Sequence, residues 1–400
     1  MMSKTYCTAP FVHMNIANDG NVTPCCTSTR SFGNSKSQAL SDIWSGDEMG
    51  QFREEILAGK EVDGCEICYQ LEDSGADSFR LRWNRSFLLK NLQDPRVRSD
   101  TPLCIHVHFS NICNLKCRMC WHGSSSSWFK DAKSLNLTVS DKALITSDGA
   151  QRMVDQLDPF IDKAVEFYFA GGEPLMMHQH YELLQRLIDR GRTDAIIGYN
   201  SNMTVLELKD WDVIELWKQF KSVHVAISID EVDERTPYLR EGSDFETIRA
   251  NAMRIKRQVP NVYIRVSPTI TLLNIFNISN LLKRIVSESI CRYEDISLNI
   301  VQEPRYYNIR LLPLAHKKEV GRRVAAFIEA ENLPESMIKW LNDVTSYMNA
   351  EDWSHRLSEF YEFNQKIDNI RGESFVDVFS DESCMLELYE MASHQTETVI

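Results

Sequence analysis

From residue 103 onward, short apolar runs alternate with longer stretches of helical periodicity. The runs are "LCIHVHF", "AVEFYFA", "AIIGYN", "SVHVAISID", "NVYIRVSPTI" and "DISLNIV". Helix-like stretches fall near residues 148–162, 178–190, 206–220, 244–258 and 274–289. Repeated strand–helix units predict a parallel sheet. Six units are visible, fewer than the eight of a closed barrel, so an open partial barrel and a doubly wound sheet both fit the pattern. Val223, Val225, Ile227 and Ile229 alternate with His224, Ala226, Ser228 and Asp230. Val262, Ile264 and Val266 alternate with Tyr263, Arg265 and Ser267, and Ile105, Val107 and Phe109 with His106 and His108. A strand covered by helices on both sides should be apolar on both faces. One polar face is therefore expected to line a cavity, as a barrel lumen does, with ligands at the C-terminal strand ends. The competing reading has these groups satisfying one another in a core.

The flanks differ in texture. Residues 1–100 are rich in Gly, Ser, Asn, Asp and Cys and predict an irregular domain with one amphipathic helix, "LSDIWSGDEMGQFREEILAG", capped by Ser41. So little apolar material would benefit from a metal staple. "NLQDPRVRSDTP" reads as a linker to a central unit, 101–312. Residues 313–400 predict helices anchored by Trp340, Trp353, Phe360 and Tyr361, with "MASHQTETVI" as a frayed tail.

Composition narrows the function classes. The 400 residues are 43% hydrophobic and 25% charged, a globular profile. There is no apolar run of membrane-spanning length and no secretory h-region, so a cytoplasmic location away from membranes is expected. A net charge of −13 argues against a broad grip on nucleic acid without excluding a local basic groove. The densest basic patch, Arg80, Arg82 and Arg85 in "RLRWNR", reads as a solvated or structural face. Eleven cysteines without an export signal point to metal sites instead of disulfides.

Three of them, Cys113, Cys117 and Cys120, stand in "NICNLKCRMC" directly after the first strand. Their spacing also suits one helix face, but Asn111, Asn114, Lys116 and Arg118 break the apolar surroundings a buried stripe needs. Three thiolates leave one metal position open, and an open position is where chemistry happens. "CNLKCRMC" has the CxxxCxxC form of the radical SAM enzymes, and the likeness extends along the chain. "FAGGEP" ends the second strand where that family has its GGE motif. "YNSNMT" ends the third, and "SIDEVDERTPYLREGSDFETIRANA" follows the fourth with its Ser-x-Asp and Tyr-x-Arg-x-Gly.

The resemblance implies a partial (β/α)6 barrel with an irregular N-terminal cysteine-rich domain and a helical C-terminal segment. It further implies a [4Fe–4S] cluster on Cys113, Cys117 and Cys120 that S-adenosylmethionine chelates. Reductive cleavage then yields methionine and a 5′-deoxyadenosyl radical that takes hydrogen from a substrate, while the protein places the reactants and excludes water. Gly171 and Gly172 would admit the methionine amino group to the backbone, with Glu173 helping to hold it. Ser228 and Asp230 would bind carboxylate or ribose, and Asn200 and Asn202 are further cofactor contacts. Arg265 would pair with a carboxylate of cofactor or substrate. The residue before the last ligand, commonly aromatic in the family, is Met119 here, with Trp121 adjacent.

Cys7, Gly20 and Cys25, followed by Cys65 and Cys68 in "CEIC", resemble the twitch and SPASM auxiliary-cluster domains, here placed before the barrel. The resemblance implies one auxiliary iron–sulfur cluster on Cys7, Cys25, Cys65 and Cys68, with Cys26 as an alternative to Cys25. Spacing alone equally admits a zinc knuckle. Relatives with such domains often oxidise, crosslink or epimerise peptides and draw electrons from flavodoxin or ferredoxin. A peptide or protein substrate is the leading expectation. Radical modification of a nucleic-acid component or small molecule, and a non-catalytic metal-stapled scaffold, are the alternatives. Cys384 is a conceivable hydrogen-atom donor and Arg265 a further catalytic candidate; Cys291 reads as a bystander.

Overall fold

The computed structural model describes residues 4–73, 77–89 and 100–398. Its centre is a seven-stranded sheet of β1 (His13–Ile16), β2 (Val22–Thr23), β3 (Cys104–Val107), β4 (Glu166–Phe169), β5 (Ile196–Ser201), β6 (Ser222–Ile227) and β7 (Val262–Val266). Their spatial order is β7-β6-β5-β4-β3-β1-β2. Strands β3 to β7 run parallel, one per strand–helix unit. A sixth unit closes the far edge: Val266 bridges Ile296, and Thr269–Ile270 pair in parallel with Asn299–Ile300. This is the partial barrel, curved but not closed on itself.

The opposite edge is an addition from the N-terminal domain. Strand β1 pairs in parallel with β3, His13 with Cys104 and Ile16 with Val107, and β2 returns antiparallel to it. Pairing satisfies the exposed edge of β3 and makes the cysteine-rich segment a direct extension of the barrel wall. Of the expected linker, residues 91–99 lie outside the described residues.

The helices depart from the periodicity at their ends. The first N-terminal helix is two, Leu40–Ser45 and Asp47–Leu57, broken at Gly46, whose extended backbone no helix continues. Ser41 is not its cap; it lies inside the first turn, and Ala39 stands at the cap position. The 206–220 stretch forms a helix only over Val213–Trp217, because Glu207–Leu208 and Trp211–Asp212 make a small hairpin first. The 148–162 stretch shortens to Met153–Leu157, followed by a 3-10 turn at Asp158–Phe160. The tail expected to fray is helical as far as Thr398, in a helix Ser383–Thr398 that buries Met385, Leu388 and Ala392; its residues 399–400 lie outside the described residues.

One continuous core lies between the sheet and its helices. It includes Phe167, Phe169, Tyr199, Trp217, Val223 and Val225 from the convex side. The C-terminal helices Leu314–Ala330, Glu335–Ala350 and Leu357–Arg371 join it through Val324, Leu341 and Phe360. Among the described residues, no helix is long and apolar enough to cross a membrane.

Candidate metal centre and cofactor site

The loop carrying Cys113, Cys117 and Cys120 leaves the C-terminal end of β3 and is held from all sides. Asn111, fully buried, donates through Nδ2 to the carbonyls of His122 (2.8 Å) and Ala143 (3.0 Å) and accepts from the Ile145 amide (2.8 Å). The serine run at 124–127, featureless as sequence, fastens the loop from beneath. Ser125 Oγ donates to Leu115 O (2.6 Å) and Ser127 Oγ to Cys113 O (2.7 Å), while Trp128 Nε1 donates to Cys117 O (2.8 Å). On the outer side Lys116–Cys117 pairs antiparallel with Arg240–Glu241. Arg118 is wholly buried and ion-paired to Asp368 (2.5 Å) and Glu373. Asn111 and Arg118, which as sequence spoke against burial, are thus among the most buried polar groups, satisfied by partners remote in the chain.

The three thiols share this loop and sense one another's charge, although among the described residues no three ligating side chains are drawn together as a formed metal site. Each of Cys113 and Cys120 feels the charge of Cys117, and burial pushes both up to about 12. Arg240 Nη1 donates to Cys117 Sγ (3.5 Å) and its Nε to Asp230 Oδ2 (2.6 Å), putting a positive charge beside the sulfur. Met119 is half-buried against the core and Trp121 is exposed.

A ledge of strand ends faces this loop. Gly171 and Gly172 have φ of +72° and +56°. A Cβ on Gly172 would lie 2.2 Å from Ile112 O, and one on Gly171 would strike the His108 ring. Only glycine permits the β4 end to approach the cysteine loop so closely. Glu173 follows, fully buried, accepting from Asn202 N (2.7 Å), Ser201 Oγ (2.9 Å) and Leu175 N (3.2 Å). Burial pushes its carboxyl up to about 7 despite those donors. Its carboxyl is bonded to the turn after β5 and so ties the ledge in place. That turn presents Asn202, whose Nδ2 lies 3.9 Å from Cys113 Sγ and donates to Asn114 Oδ1 (3.0 Å). Ser228, half-buried, hangs from Ser201 O by its amide (3.0 Å). Asp230 is fully buried between Arg240 and the Thr269 amide (2.7 Å).

Below the ledge, the polar strand face forms a concave wall. His106, Tyr168, Gly198, His224 and Tyr263 are register partners on adjacent strands. A Cβ on Gly198 would lie 2.4 Å from the Tyr168 ring, so its absence makes room for that ring. Asn200 is exposed although it sits on a central strand, and Tyr263 is 44% exposed. The face is open at Asn200 and Tyr263, while His106 is buried and Tyr168 bonds to Asn200.

The N-terminal thiols form a second group. Cys7, Cys25, Cys65 and Cys68 line one pocket with Thr27, Tyr69 and Arg80. Cys7 precedes the turn into β1, Cys25 follows β2, and Cys65 and Cys68 open the helix Glu66–Asp73. Burial and the neighbouring thiols raise Cys7 well above the ordinary range. Cys26 is exposed and does not line this pocket. Arg80 closes it, bonded to Tyr6 O (2.6 Å) and ion-paired with Glu72.

Other candidates lie elsewhere. Cys384 sits against Arg323 (3.6 Å) and Glu382, on the outer C-terminal helices, away from both thiol groups. The structure therefore does not bring it to the site. Cys291 is a core residue. Arg240 is the group that sequence reading passed over, although its Tyr-x-Arg-x-Gly motif was visible.

Comparison with known proteins agrees with this layout. Residues 107–283 match the family model for the Radical SAM superfamily, and residues 7–69 match SPASM, an iron–sulfur cluster-binding domain. The chain thus carries a Radical SAM superfamily domain preceded by a SPASM-type domain. No curated protein sequence matches it. Among solved structures, a histidine-tagged anSMEcpe with bound AdoMet is 16% identical, with 55% of this chain and 60% of that chain covered and a TM-score of 0.40. Streptococcus suis SuiB bound to S-adenosylmethionine is 16% identical, with 71% and 58% covered and a TM-score of 0.40. The chain thus spans about three-fifths of the length of these proteins. The family implies a [4Fe–4S] cluster with S-adenosylmethionine, and the SPASM domain implies auxiliary iron–sulfur binding.

Proposed function

We propose that this chain is a radical SAM enzyme that removes hydrogen from a peptide or protein held in its lumen, assisted by a cluster in its N-terminal domain. The observation carrying this reading is the meeting of three elements at the C-terminal strand ends: the three-thiol loop, the two-glycine ledge and the open polar face.

The donor types and their placement support the groups the family requires. Cys113, Cys117 and Cys120 would hold the cluster, and Gly171, Gly172, Asn202 and Ser228 would receive the methionine moiety. Asp230 keeps Arg240 beside Cys117, where the guanidinium lowers the cost of thiolate charge. Cys7, Cys25, Cys65 and Cys68 would hold the auxiliary cluster. When bound and reduced, the cluster with S-adenosylmethionine supplies a carbon radical able to take an unactivated hydrogen. The chain's own part is placement. Ser125, Ser127 and Trp128 fix the thiol loop, Glu173 ties the ends of β4 and β5 together, and Tyr168, Asn200 and Arg265 form the floor beneath. Eleven free cysteines suit a reducing compartment, and a flavodoxin or ferredoxin would supply electrons.

The test is anaerobic reconstitution with iron and sulfide, then reduction and incubation with S-adenosylmethionine and a peptide library. Formation of 5′-deoxyadenosine together with a mass change in a peptide is expected. Deoxyadenosine with changes only in small molecules would redirect the substrate assignment, and no deoxyadenosine would refute the reading.

A further inference from the structure

Two guanidinium groups at the lumen have no ion pair among the described residues. Arg265, on β7, lies along the concave face and donates from Nη2 to Tyr168 Oη (3.3 Å), which donates in turn to Asn200 Oδ1 (2.7 Å). Arg82 reaches the same space from the N-terminal helix Phe79–Leu89. Burial pushes its pKa down against the opposing charges of Asp77, Cys26 and Cys68, and Arg265 adds a smaller push in the same downward direction. Its Nε is buried without a hydrogen-bond partner among the described residues. Trp340 of the C-terminal segment lies 5.9 Å from its guanidinium, and the neighbouring Trp83 meets the His106 ring at 6.1 Å. His106 stacks on Tyr168 at 4.6 Å, which completes a wall built by all three parts of the chain.

Several buried arginines of this protein are paired with acids, while Arg53 is held by the carbonyls of Pro10 and Trp44. Arg118, Arg235, Arg240 and Arg371 each carry a carboxylate partner. Among the described residues neither Arg82 nor Arg265 has an ion pair, and Asp77 is taken by Arg85. Glu166 is the acid on the same face, two residues before Tyr168 on β4. Two like charges kept together in a partly desolvated space are unfavourable until an anion joins them. Planar guanidinium forks suit a carboxylate that each can grip in bidentate fashion.

We propose that Arg82 and Arg265 anchor a carboxylate of the substrate between them in the lumen. This rests on the radical reading of the site, which the experiment tests separately. The carboxylate is either an acidic side chain or a peptide C-terminus, and the two sources are told apart by the probes.

The reconstituted full chain is titrated, by ligand-observed NMR, with N-acetylglutamyl methylamide, its glutaminyl isostere, N-acetylglycinate and inorganic phosphate. At least one carboxylate is expected to bind about tenfold or more tightly than the amide, and the tighter acid identifies the source. Arg82→Gln and Arg265→Gln should each erase that preference, with iron content and S-adenosylmethionine affinity within about twofold of the parent. The proposal is overturned by equal binding of acid and amide, by a preference that survives both substitutions, or by phosphate binding more tightly than either acid. It is also overturned if S-adenosylmethionine affinity falls in step with the acid preference, since the arginines would then serve the cofactor. Deoxyadenosine formation by the parent protein is measured alongside; its absence would refute the radical reading without altering the binding comparison.

Discussion

Replacing Arg118 by Met should loosen the cysteine loop from the C-terminal segment. Arg118 is fully buried and donates to Tyr238 O (2.9 Å), Asn364 Oδ1 (3.0 Å) and Asp368 (2.5 Å), with Glu373 on the same nitrogen. Its guanidinium also lies over the Tyr238 ring at 3.5 Å. Removing one partner of a buried ion pair costs ~3–5 kcal/mol, because the other charge is left uncompensated. Asp368 retains bonds from Tyr238 Oη (3.0 Å) and the Phe375 amide (2.9 Å), which favours the lower end, ~3 kcal/mol. Against a domain stability of ~5–15 kcal/mol the variant should still fold.

Urea unfolding of the apo chain, followed by circular dichroism, measures the deficit. Iron retained after reconstitution and desalting measures the loop. Combining Arg118→Met with Asp368→Asn should cost less than the two changes summed, by ~1–3 kcal/mol. Burial already raises the Glu373 carboxyl above its unfolded value, and loss of Arg118 removes the charge that opposes this. The Glu373 penalty is therefore complete above its folded value and fades as pH falls towards the unfolded one. A deficit under ~1 kcal/mol with unchanged iron retention would refute this account of the loop.

Three shorter tests follow from the same geometry. Gly172→Ala sets a Cβ 2.2 Å from Ile112 O and should weaken S-adenosylmethionine binding about tenfold or more, whereas Gly191→Ala, with open space around it, should leave binding unchanged in the same titration. Cys25→Ala should lose the auxiliary iron and Cys26→Ala should keep it, because only the former lines the four-thiol pocket; iron analysis decides. For Glu173 the folded value of about 7 lies above the unfolded one, so native stability falls as pH rises from about 4.5 to 7. Glu173→Gln removes that slope, and its stability relative to the parent should rise by ~1–3 kcal/mol between pH 5 and 8 in urea titrations.

The barrel and its ligand loop were legible because each motif sits at a strand end and the strands keep a two-residue alternation. Local signals of that kind survive folding. The edge strand β1 was not legible: its parallel partner β3 lies some ninety residues away, and nothing local in "HMNI" specifies it. Arg118 and Asn111 misled for the same reason. A buried polar side chain looks like a surface residue until its partners are known, and those of Arg118 are Asn364, Asp368 and Glu373. The serine run looked like low complexity, yet its hydroxyls hold the carbonyls of the cysteine loop. The helix over 206–220 shortened because the hairpin at 207–212 intervenes, with Lys209 in the left-handed region at φ +53°.

The central claim is that Cys113, Cys117 and Cys120 hold a cluster that S-adenosylmethionine meets directly. Electron paramagnetic resonance of the reduced, reconstituted protein tests it, recorded with and without S-adenosylmethionine in the parent and in Cys117→Ala. The account predicts a [4Fe–4S] signal whose g-values shift on addition of S-adenosylmethionine, and loss of that shifting component in Cys117→Ala while the N-terminal signal stays. A spectrum indifferent to S-adenosylmethionine, or a shift that persists in Cys117→Ala, would contradict it.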